Sequence, residues 1–144
     1  MKKILSLSLL LLVGSLSWAQ LKSPETYFGH QIGKKITPHW KLLEYFKYIA
    51  DQNPSRVKYE QYGTSVEGRP MYVFYISSEK NISKLEDIRL NNLRLAKSLD
   101  GTPDLADMPA ILWMSNNAHG NETSSAEASM MTLYELVNPQ NSAM

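Results

Sequence analysis

The chain of 144 residues contains no cysteine. That excludes thiolate metal ligands, a cysteine nucleophile, disulfides and the lipid-bearing cysteine of a bacterial lipoprotein. Net charge is scarce too, at +1. With no basic stripe and no interleaved aromatics, neither nucleic acid nor an anionic membrane is an electrostatic partner. Long apolar runs are confined to Ile4–Val13, interrupted by Ser6 and Ser8. That run is too short to serve as a stable membrane anchor. Lys2 and Lys3 precede it and Ser17-Trp18-Ala19 follows it, the layout of a cleavable signal peptide. The expectation is a signal peptide over residues 1–19, cut after Ala19, and a secreted or periplasmic protein.

What is present is the balance of one globular domain, 43% hydrophobic and 20% charged. Residues 20–36 read as an extended N-terminal segment without a regular element. Thr37-Pro38 reads as a helix start, a hydroxyl cap before proline. Leu42, Phe46 and Ile49 follow at helical spacing, and Asn53-Pro54 ends the run. Val57–Tyr62 and Met71–Ser77 read as two strands around a Gly63–Pro70 turn, an antiparallel pair in which Gly63 and Gly68 take unusual backbone angles. Ser83 and Glu86 suggest a capping box for a helix continuing through Leu99. Pro109–Ser115 is apolar at nearly every position and reads as a strand covered on both faces, with Trp113 in the core. Ser124 and Glu127 suggest a second capping box. Ala126, Met130, Leu133 and Val137 form its buried stripe. This order gives an α/β architecture, a mixed sheet with flanking helices, and three strands make so small a sheet that more of it is expected.

Between the last strand and the last helix stands His119-Gly120-Asn121-Glu122. A neutral imidazole and a carboxylate can both bind one Zn²⁺, and strand ends are where α/β sheets place ligands. Gly120 is expected to let the backbone turn between them, with Asn116, Asn117 and Asn121 supplying neutral hydrogen-bonding groups. The helical His-Glu-x-x-His motif does not fit, and Thr123 stands where the inverted motif needs histidine. Glu122 is therefore read as a ligand rather than a general base. Spacing singles out neither His30 nor His39 as a third ligand. His39 reads as a solvated or capping residue.

Other conspicuous residues have plainer readings. Glu67 and Arg69 read as a turn-spanning ion pair. Tyr59, Tyr62, Tyr72 and Tyr75 read as half-buried strand residues rather than a sugar platform. Asn81-Ile82-Ser83 and Asn121-Glu122-Thr123 match the glycosylation pattern by chance.

Three landmarks occur in sequence: a helix ending in Asn53-Pro54, the hairpin segment Gly63–Met71 with Glu67-Gly68-Arg69, and a strand followed by His119-x-x-Glu122. In order and spacing they resemble the zinc carboxypeptidases related to carboxypeptidase A, over about residues 37–137. The resemblance implies that residues 37–144 are the incomplete N-terminal part of such a catalytic domain. It implies a zinc cofactor, with His119 and Glu122 as two of three metal ligands. It implies hydrolysis of C-terminal peptide bonds, with peptide or protein C-termini as substrate. The third ligand, the substrate-clamping arginines and the general base are expected beyond Met144, so the chain alone is expected to be inactive. Digestive-type members carry arginine where Asn121 stands. His-Gly-Asn-Glu is similar to bacterial members and equally to zinc deacylases acting on acyl-amino acids. The Glu67-Gly68-Arg69 hairpin favours the peptidase. A non-catalytic secreted binding module, or a complete small domain with a two-ligand site, would fit the same residues without the enzyme.

Overall fold

The computed structural model describes residues 21–141. The signal peptide expected over 1–19 lies outside them. The segment before Thr37, expected to be irregular, contains a short helix, α1 (Pro24–Phe28). Its signals are local: Ser23 Oγ accepts the Thr26 amide, proline follows the cap, and Gly29 takes the left-handed stop at φ 71°. Tyr27 and Phe28 bring their rings to 5.1 and 5.7 Å from Tyr45.

Tyr45 belongs to α2 (His39–Gln52). Pro38 occupies the cap position of α2 without a side-chain bond, and the Thr37 hydroxyl is buried without a partner instead of capping. Of the expected apolar face, Ile49 is buried, while Leu42 and Phe46 are half-buried beside it. The helix ends where Asn53-Pro54 predicts, with Asn53 Nδ2 donating to the Ile49 carbonyl at 2.8 Å. Burial pushes the Tyr45 phenol well above its ordinary pKa.

The hairpin forms as expected, from β1 (Val57–Thr64) and β2 (Pro70–Ile76), antiparallel from Val57↔Ile76 to Thr64↔Pro70. Gly68 turns it at φ 77°. Gly63 does not take a left-handed angle; it sits at a register irregularity, where a Cβ would come within 3.2 Å of Met71 Cε. Arg69 and Glu67 pair at 2.8 Å across the turn, both exposed. One face of the hairpin meets α2, where Phe46 and Phe74 pack edge to face at 5.0 Å. Tyr72 and Tyr75 are half-buried, as expected of strand residues, whereas Tyr59 and Tyr62 are exposed.

The next stretch departs further from expectation. In place of one helix capped by Ser83 and Glu86, there are two, α3 (Glu79–Ile82) and α4 (Leu85–Leu95). Ser83 Oγ donates to the Lys80 carbonyl, and Glu86 is engaged by Arg89 at 2.6 and 2.7 Å. No residue of α4 is buried, and Ala96 and Leu99 lie beyond its end. The expected strand 109–115 is not a strand, and Trp113 is not in the core. Among the described residues the segment has no ladder partner, and Leu112 and Trp113 are 82% and 74% exposed. A segment apolar on both faces needs cover on both sides. The two-stranded β1–β2 sheet does not pair with it.

The last helix, α5 (Thr123–Val137), brings Met130, Leu133 and Val137 onto Tyr45, Ile49, Ala50 and Val57. These residues form the core, with α1, α2, the hairpin and α5 around it. Its end follows Asn138-Pro139, and Arg56 Nη2 donates to the Leu136 carbonyl at 3.2 Å.

Candidate metal centre

The loop before α5 makes two successive turns. The Glu122 amide donates to the His119 carbonyl and the Ser125 amide to the Glu122 carbonyl, both at 3.1 Å. These bonds place His119 and Glu122 on one side of the helix entrance. His119 Nδ1 lies 2.8 Å from Glu122 Oε1. Both side chains are open to solvent, at 76% and 49% exposure. The left-handed residue in this loop is Asn117, at φ 62°, not Gly120. A Cβ at Gly120 would meet nothing within 4 Å, so neither space nor backbone angle requires glycine there.

The donor set suits a zinc ion. One imidazole nitrogen and one carboxylate oxygen already face each other, and both are accessible. Holding a metal there would require the pair to give up its shared hydrogen bond, after which an imidazole nitrogen and a carboxylate oxygen are both donors that zinc accepts. Nothing else nearby extends the set, because among the described residues no three His, Asp or Glu side chains form a group able to hold a metal. His30 stacks on Phe28 at 6.0 Å with its Nδ1 beside the Gln31 carbonyl, and His39 is exposed at the start of α2. Neither joins the pair.

The expected capping box at the head of α5 does not form. Glu122 takes the cap position and makes no side-chain cap bond. Glu127 is buried and turns away from the helix start, its Oε1 accepting the Thr37 amide at 2.7 Å. A local-cap reading of Glu127 misses this long-range contact. The signal in the sequence is its place in the apolar stripe, three residues before Met130. A carboxylate on a buried helix face needs a donor from elsewhere.

The zinc carboxypeptidase family model matches residues 42–144. No curated protein and no solved structure matches the chain.

Proposed function

Since the chain belongs to the zinc carboxypeptidase family, we propose that His119 and Glu122 are two ligands of its zinc ion and that its reaction is hydrolysis of C-terminal peptide bonds. The observation that carries this is the convergence of His119 Nδ1 and Glu122 Oε1 at 2.8 Å, exposed at the head of a helix. Bound there, Zn²⁺ would supply Lewis acidity to the scissile carbonyl and lower the pKa of a water. The chain's own residues do the positioning. His119 would offer an imidazole nitrogen, and Glu122 a carboxylate oxygen that offsets part of the metal's charge. Asn116, Asn117 and Asn121 border the pair with amide groups suited to orienting a ligand or a peptide. The Asn117 Oδ1, two residues before His119 in the chain, is buried without a hydrogen-bond partner.

Among the described residues no third ligand joins His119 and Glu122. The chain by itself is therefore proposed to bind zinc weakly and to leave peptides uncut. Location outside the cytoplasm rests on the leader-like pattern of residues 1–19.

Zinc titration followed by calorimetry tests the reading. Both His119→Ala and Glu122→Ala should abolish zinc binding while leaving the unfolding transition in place. Zinc bound equally well by both variants would refute the ligand assignment. Release of C-terminal residues by the chain alone would refute the proposed inactivity. Cleavage of acyl-amino acids but not peptides by any assembled enzyme would move the activity to the deacylases.

A further inference from the structure

We propose that Glu127 is a positioning residue for the metal pair: its buried hydrogen bond from Thr37 pins the front of α5 and thereby fixes where Glu122 points. This rests on the zinc-ligand reading of Glu122 given above.

α5 is anchored away from its entrance. Its buried apolar residues Met130, Leu133 and Val137 all lie behind its second turn. At the rise of an α-helix, Met130 stands about 12 Å along the axis from Glu122. The entrance itself is open, because Glu122 makes no side-chain cap bond. Uncapped first turns fray, and here fraying would carry a ligand with it.

Among the described residues, two hydrogen bonds join α5 to the chain that precedes it. One is at the back, from Arg56 to the Leu136 carbonyl at 3.2 Å. The other is near the front, from the Thr37 amide to Glu127 at 2.7 Å, spanning 90 residues of sequence. Removing the second would leave α5 held by its apolar residues and by the Arg56 bond, all of them well behind the ligand-bearing end. Thr37 precedes the part of the chain that matches the family model, residues 42–144, whereas Glu127 lies inside it. The pin is thus supplied by an N-terminal segment outside that match.

The chemistry of the contact favours orientation over stability. Glu127 Oε2 and Thr37 Oγ1 are both buried without a hydrogen-bond partner. A buried carboxylate with one oxygen unsatisfied is an expensive way to stabilise a fold, since an apolar side chain of similar size does as well or better. What the carboxylate adds is a directional bond at a fixed point of the helix.

The experiment uses the full chain, with Zn²⁺ binding measured by titration calorimetry and amide hydrogen exchange measured without metal. Glu127→Ala should weaken zinc binding measurably but by less than roughly tenfold, the smallest loss seen when a group bonded directly to a ligand is removed. Exchange at Ser125 and Ala126 should accelerate, with Leu133 to Val137 unchanged. Glu127→Met fills the same space without a strong acceptor and should behave like Glu127→Ala even if the alanine variant folds poorly. Glu127→Gln keeps an acceptor for the Thr37 amide and should retain wild-type affinity. Val137→Ala cuts the core at the far end and should lower the melting temperature without changing zinc affinity. Wild-type affinity in both Glu127→Ala and Glu127→Met overturns the inference. So does an equal loss of affinity in Val137→Ala. Zinc binding that survives His119→Ala overturns the ligand reading instead, and the exchange pattern then decides the pin by itself.

Discussion

Tyr45 and Trp113 are large aromatic side chains set in apolar surroundings along the sequence, and the fold treats them in opposite ways. Tyr45 is fully enclosed, whereas Trp113 is 74% exposed. The difference lies in their neighbours. Tyr45 receives the rings of α1 on one side and the buried stripe of α5 on another. Trp113 lies in a segment with no ladder partner among the described residues, and the helix that precedes it in sequence, α4, has no fully buried residue. Hydrophobicity of a residue sets its demand for cover; only a second element satisfies it. The molecule therefore divides into a packed part, built on α1, α2, the hairpin and α5, and an open part, running from α4 to the metal pair. The candidate site sits at the seam, with Glu122 leading into a helix whose far end is in the core.

The contrast can be broken by mutation. Tyr45→Ala should cost about 3–5 kcal/mol in chemical denaturation, as for other buried aromatics. A cost below about 1 kcal/mol would mean that the packed part is not the source of stability. Trp113→Ala should change stability by no more than about 0.5 kcal/mol, because little of the side chain is removed from water. A cost near that of Tyr45→Ala would show that segment 109–115 is covered in solution.

The smallest effect concerns the tether between α3 and the open part. Asp107 is bonded by Lys80 at 2.8 Å and Lys84 at 2.7 Å. Those two hydrogen bonds lower its pKa from 3.8 to about 2. A depressed carboxyl pKa means that the tether contributes fully above the unfolded value and is lost as pH falls through about 2. The carboxyl resonance of Asp107 should titrate in that range, and amide exchange near residues 104–107 should rise there, with the core of α2 unaffected. Titration at the ordinary aspartate value would show that the tether does not form.

Some parts of this arrangement are more readily legible in the sequence than others. The hairpin, the stops at Asn53-Pro54 and Asn138-Pro139, and the Met130-Leu133-Val137 face can be read because each depends on neighbours a few residues away. The same locality makes His119 and Glu122 stand out. The short helix α1 is equally local, and the Ser23-Pro24-Glu25 signature could have marked it within the segment expected to be irregular. The capping boxes fail for a different reason. A serine and a glutamate at the right spacing are compatible with a cap, but a stronger competitor can claim either one. Arg89 takes Glu86, and the amide of Thr37 takes Glu127. The strand expected over 109–115 fails because a strand is a property of a pair. Its residues specify how much cover they need but not where that cover comes from.

The tyrosines of α2 have one more consequence. Tyr45 donates to the Lys22 carbonyl and Tyr48 accepts the Lys22 amide, each at 3.0 Å. Both backbone groups of one residue are thereby occupied by a single helix. An aminopeptidase digesting inward along the chain would reach a peptide unit it cannot grasp until α1 is lifted from its aromatic bed. Trimming of the folded chain is therefore expected to halt at Lys22, which N-terminal sequencing after aminopeptidase digestion checks.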